Sequence, residues 1–182
     1  MLVSAGIGSI YSRIFSARHG SEVKGLLLID PLHEDLLEDV GAPGRGFRLW
    51  IRGVLSPLGL DRIWGALFRG RTREDRVWGR SVGQGGKYIF AKLQENLVAA
   101  TLSRREADSS RAIQRPDAPL TLVSSGDRVR ADPGWADRQR DLSHLTRDLR
   151  HWDIVDGAPH RVWETPDGRH TIEKRLRELV RI

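Results

Sequence analysis

Residues 2–31 read Leu2-Val-Ser-Ala-Gly-Ile-Gly-Ser-Ile-Tyr-Ser-Arg-Ile-Phe-Ser-Ala-Arg-His-Gly-Ser-Glu-Val-Lys-Gly-Leu-Leu-Leu-Ile-Asp-Pro31, and they decide the fold class. Leu2 and Val3 read as the end of a strand, and Gly6 and Gly8 as a tight turn. Ile10, Tyr11, Ile14, Phe15 and Arg18 then recur at helical spacing, which predicts a helix over 8–19 stopped by Gly20. Val23 to Asp30 is an almost unbroken apolar run closed by Asp-Pro, the pattern of a parallel strand buried on both faces. Strand, glycine turn, helix, strand is a βαβ unit.

Outward from this unit the pattern alternates. From Gly41 to about Ile113 the chain reads as a glycine-rich loop followed by amphipathic helical stretches around 47–55, 60–68 and 73–106. Trp50, Trp64, Trp78 and Phe90 lie among the arginines there. Arg115-Pro-Asp-Ala-Pro119 reads as a linker, and Leu120–Ser124 as a short strand. A helix is predicted from Pro133, whose ring suits a first helical turn, then a strand at His151–Val155 and a loop at Gly157–Pro159. A last helix is expected from about Gly168 onward. The expectation is an α/β fold with a mostly parallel sheet of about four strands. It is divided as 1–40, a helical insertion at 41–113, and 114–182.

Composition narrows the function classes. The 182 residues are 39% hydrophobic and 30% charged, and 30 basic residues against 24 acidic ones give a net charge of +6. Lys24, Lys87, Lys92 and Lys174 are the lysines; the remaining basic residues are arginines interleaved with acids, as in Arg71-Thr-Arg-Glu-Asp-Arg76. A nucleic-acid binder would gather them in a stripe beside a recognisable motif, so no nucleic-acid partner is expected. Without cysteine there is no disulfide framework, thiolate metal site or cysteine nucleophile. Residues 1–20 carry no acid and two arginines, as a mitochondrial presequence would, but the βαβ pattern explains more of them. No secretory signal or apolar run long enough to cross a bilayer is present. Cytoplasmic, mitochondrial and membrane-associated settings, the last in a longer form, all stay open.

Parallel sheets place their chemistry at the carboxyl ends of the strands. Those ends hold Gly6, Asp30 and Asp35, Asp127 and Asp132, and His160. A glycine turn, then carboxylates, then a late histidine is the chain order nucleophile, acid, base. On these residues the chain resembles the α/β-hydrolases. Ser4-Ala-Gly6-Ile-Gly8 sits where their Gly-x-Ser-x-Gly nucleophile elbow would, and Ala158-Pro-His160 looks like their histidine loop. The 41–113 insertion looks like their cap, and the resemblance runs over nearly the whole chain. It is closest to fungal hydrolase-like proteins whose longer forms often carry membrane segments. What it implies is His160 as the base position and Asp127 as the usual acid, with Asp30 or Asp35 as the alternative location and Asp132 a further candidate.

The departures from that family set the functional expectation. Gly6 occupies the nucleophile position and has no oxygen to activate, so no acyl-enzyme can form there. If Met1–Val3 corresponds to the family's fifth strand, four strands and the loop that lends an oxyanion-hole amide are outside the chain. The expectation is a hydrolase-fold protein without catalytic activity, serving as a binding or scaffold module through its cap, toward a small molecule or a protein. The alternative is an active serine-type hydrolase of small esters or amides in a longer native form.

A reading from another class takes Val3 to Asp30 as a dinucleotide-binding βαβ, with Asp30 on a ribose hydroxyl. Tyr11 at the third glycine position weighs against it, since it would hold helix and strand apart. No cofactor and no metal is expected. His33-Glu34-Asp35 are three adjacent residues that cannot all face one ion from a helix, and His19, His144, His151 and His170 read as surface groups. With Met1–Val3 at an open sheet edge, the chain by itself is expected to be marginally stable or self-associating.

Overall fold

The computed structural model describes residues 1–58, 86–113 and 117–180. Four strands form one all-parallel sheet in chain order: β1 (Leu2–Ala5), β2 (Leu26–Ile29), β3 (Leu120–Ser125) and β4 (Leu149–Val155). Leu2 pairs with Leu26, Leu26 with Leu120, and Leu120 with Leu149, with an irregularity at Leu120/Thr121. The fold is α/β, as the alternation of patterns requires. The two central strands are buried along their whole length, which is why β2 reads as Leu-Leu-Leu-Ile with no polar alternation.

Successive side chains of a strand point to opposite faces, so this sheet carries two cores. Leu27, Ile29, Val123 and Val155 pack on one face with Val162, Ile172, Leu176 and Leu179, the last three from α8 (Pro166–Val180). Leu26, Leu28, Leu120 and Leu122 pack on the other with Val23, Leu142 and Leu145. Leu142 belongs to α7 (Pro133–Ser143), where Pro133 is indeed at the start and Asp132 caps the end by accepting from the Gly134 amide at 2.9 Å.

The described chain falls into two compact units. One comprises Met1–Leu36 and Arg104–Ile182, the other Leu37–Ser103. The first contains the sheet, α1 (Gly8–Arg18), α5 (Arg104–Ile113), α6 (Gly126–Ala131), α7 and α8. The second contains α2 (Leu37–Val40), α3 (Pro43–Leu55), α4 (Gly86–Val98) and a π-helical turn at Ala99–Ser103. Within it, Phe90 of α4 fits against Gly53 of α3, and the Asn96 amide donates to the Val40 carbonyl.

Three local expectations are corrected. Pro43 opens α3, so the stretch 43–46 is helix rather than loop; proline with its fixed φ serves the first turn well. The helical run expected to 106 is broken by the π turn at 99–103, and Arg104–Ile113 belongs to the sheet unit, because α5 packs on α1. The short helix α6 is absent from the sequence reading. The helical stretch expected at 60–68, Trp64, Trp78 and the linker residues Arg115 and Pro116 lie outside the described residues.

Candidate functional site

The turn between β1 and α1 is made by Gly6 at φ +52°, a left-handed conformation that favours glycine. Its carbonyl accepts from the Ser9 and Leu32 amides, each at 3.1 Å, and its own amide donates to the Ile29 carbonyl at 3.1 Å. Ser9 is committed to the same turn: its hydroxyl donates to the Gly6 carbonyl at 2.7 Å and accepts from the Leu32 amide at 3.1 Å. Ser4 Oγ is buried with no hydrogen-bond partner. Neither serine is hydrogen-bonded to His160.

What faces the turn is His160. A Cβ placed on Gly6 would lie 3.5 Å from both Cε1 and Nε2 of that ring, ordinary van der Waals distance. On the opposite side of the ring, Nδ1 lies 2.5 Å from Asp30 Oδ2. Asp30 is fully buried at the end of β2 and has φ +41°, a value that aspartate tolerates better than most residues. Its second oxygen, Oδ1, accepts from the Ser125 amide at 3.1 Å.

The loop carrying His160 turns at Gly157 (φ +66°) and is tied down at Ala158. The Ala158 carbonyl accepts from the Ser125 hydroxyl at 2.7 Å and from the Asp127 amide at 3.3 Å. Arg128 of α6 completes the group, with Nη1 3.3 Å from Asp30 Oδ2 and 3.0 Å from His160 Nδ1.

The carboxylate on His160 is therefore Asp30, one of the alternative positions, and not Asp127. Asp127 sits one residue into α6 and is exposed, where Arg130 takes it at 3.0 Å. Helix α6 begins directly after β3, so the residue that follows the strand is carried outward by the first helical turn. Asp35 lies beside His33 at 3.3 Å, and Asp132 is used as a helix cap; neither reaches His160.

A second charged cluster went unseen in the sequence. Arg13 of α1, fully buried, donates through Nη1 to Glu34 Oε2 at 2.8 Å and through Nη2 to Oε1 at 3.2 Å. Arg111 of α5 donates to Glu34 and to Asp141, and His33 Nε2 lies 2.8 Å from Asp141 Oδ2. Burial pushes the Glu34 carboxyl up, but hydrogen bonds and charge from Arg13, with Arg111 adding to them, outweigh it and hold the group well below the usual carboxylate range. Asp141 is lowered in the same way: burial raises it and the contacts with His33 and Arg111 overcome the effect. His33 is thus buried beside Asp141 and Arg111 in the same network. Among the described residues no group of three histidine or acidic side chains is placed to hold a metal ion, and no helix is long and apolar enough to cross a membrane.

The His160 ring thus stands between Gly6 on its Nε2 side and the buried Asp30 carboxylate on its Nδ1 side. The imidazole edge is held toward a backbone turn that presents only hydrogen.

No protein-family model matches the chain, and no solved structure matches it. It is 42% identical over 180 residues to an uncharacterized protein of Schizosaccharomyces pombe, an alignment covering 99% of this chain and 34% of the relative. It is 25% identical over 217 residues to an uncharacterized vacuolar membrane protein of Saccharomyces cerevisiae, covering 98% of this chain and 33% of that protein. The chain thus spans about a third of the length of these curated relatives.

Proposed function

We propose that this chain is a hydrolase-fold module that has lost nucleophilic chemistry and retains its acid and base positions. The observation that carries the proposal is the 3.5 Å spacing between the side-chain position at Gly6 and His160 Nε2, with Asp30 2.5 Å behind the same ring. A serine hydroxyl on such a Cβ would fall within hydrogen-bond reach of the imidazole, and glycine supplies none. The role that remains is binding or scaffolding. The insertion offers apolar surface for it: Phe47 and Trp50 of α3 stack at 6.2 Å and are each at least half exposed.

The test is hydrolysis of a p-nitrophenyl ester by the chain and by Gly6→Ser. The native chain should not exceed the buffer rate, and the variant should gain turnover that His160→Ala abolishes. Turnover by the native chain that disappears in His160→Ala would overturn the proposal and favour the active-hydrolase alternative.

For setting, we infer association with the vacuolar membrane in a longer form, on the printed description of the Saccharomyces cerevisiae relative. A fluorescent fusion of the longer protein should mark that membrane. Diffuse cytosolic signal would contradict it.

A further inference from the structure

Arg128 is a charged group that the relay does not need. Its guanidinium carbon lies 3.3 Å from the ring centroid of Trp135, a side chain that is itself buried, so the cation is held flat against the aromatic face. From there Nη1 reaches Asp30 Oδ2 at 3.3 Å and stands 3.0 Å from His160 Nδ1. Nδ1 and Nη1 converge on the same carboxylate oxygen; Nη1 donates to it, and a carboxylate and a guanidinium on that side of the ring favour a proton on Nδ1. In the neutral ring of that tautomer, Nε2 faces Gly6 without a proton.

The consequence is electrostatic. A histidine acting as a general base becomes an imidazolium, and the buried carboxylate behind it offsets that charge. Here the carboxylate already serves a permanent cation, and the new charge would arise within 3.0 Å of that cation. The other charged groups nearby are engaged elsewhere: Asp127 and Asp156 with Arg130, and Arg161 with Glu164. We propose that Arg128 is a positioning residue that locks the His160 ring with its proton on Nδ1 and so opposes the further proton uptake that base catalysis requires. The electrostatic lock stands on geometry alone; its catalytic meaning rests on the hydrolase-fold reading above.

The lock is read by nitrogen-15 spectroscopy of His160 in the full chain. At a fixed, mildly acidic pH, the ratio of imidazolium to neutral ring should rise about tenfold in Arg128→Gln and Arg128→Met. It should stay within about twofold in Arg128→Lys, which keeps the charge. An unchanged ratio in the folded neutral variants would overturn the proposal. Should neither neutral variant fold, the native chain decides: an Nε2 protonated at neutral pH overturns the lock, and an unprotonated Nε2 supports it.

In a Gly6→Ser background, Arg128→Gln should raise kcat severalfold with KM unchanged. If the ratio shifts while Gly6→Ser turns over nothing, the lock holds and the hydrolase reading falls. If the ratio is flat while Gly6→Ser hydrolyses ester, the lock falls and the reading stands.

Discussion

Gly6 is the residue on which the proposed loss of nucleophilic chemistry turns. Its φ of +52° is a conformation in which an L-residue is strained, yet a Cβ there would meet the His160 ring only at ordinary contact distance. Strain and clash therefore separate. Gly6→Ala should cost about 1 kcal/mol in urea denaturation, the usual left-handed penalty. A loss above about 3 kcal/mol would mean that the turn cannot take a side chain at all, which is beyond what conformation alone explains. At this scale the placement of Gly6 and His160 at one end of the sheet was legible, because a glycine turn after a strand and a loop after a late strand carry positional meaning. The sequence misdirected at the acid. Asp30 before Pro31 looks like turn chemistry, and nothing in one sequence tells that its carboxylate turns inward to meet a residue 130 positions away. Arg128 was equally silent, since one arginine among many carries no mark of the aromatic ring it rests on.

Among the elements, α5 is tied to α1 through ions. Glu34, in the 3-10 turn Glu34–Leu36, receives both nitrogens of Arg13 from α1 and a further bond from Arg111 of α5. Removing its charge strands a buried guanidinium, so Glu34→Gln should destabilise the chain by about 3 kcal/mol. The same carboxyl sets a pH dependence. Its folded value lies below its unfolded one, so its contribution is complete above the ordinary glutamate range, about pH 4.3, and shrinks as pH falls below it. Stability measured from about pH 5 to pH 3 should fall in the native chain and fall less steeply in Glu34→Gln. Equal slopes would show that Glu34 carries no folded-state depression. This cluster explains why the sequence boundary at residue 113 differs from the observed unit boundary at Ser103. Arg104–Ile113 continues an amphipathic pattern from the insertion, and only the partner of Arg111 reveals which unit it serves. Strands were easier to read. β2 and β3 are central and buried on both faces; in β2 this writes itself into the sequence as consecutive apolar residues, while β3 also buries Thr121, Ser124 and Ser125.

For the molecule as a whole, the sheet has two edges of different character. β4 carries Arg150, His151 and Asp153, with Asp153 held by Arg175 at 2.6 Å, while β1 is Leu-Val-Ser-Ala with Val3 exposed. Charged residues on an edge strand discourage pairing with other chains, and β1 has none. The 182-residue chain should therefore self-associate in analytical ultracentrifugation, and Val3→Lys should shift it toward monomer. A native chain that sediments as a monomer at all concentrations would contradict this. All-parallel architecture also brings the ends of β1, β2 and β4 to one rim, and Gly6, Asp30 and His160 meet there although they are far apart in sequence. The most direct measurement of that meeting is covalent: exposure of the native chain, Gly6→Ser and Gly6→Ser/His160→Ala to a fluorophosphonate, read by intact mass and peptide mapping. Gly6→Ser should label at residue 6, the native chain should not label, and loss of His160 should abolish the reaction. Labelling of the native chain, or of Gly6→Ser at the same rate without the imidazole, would contradict a vacated nucleophile position facing a base.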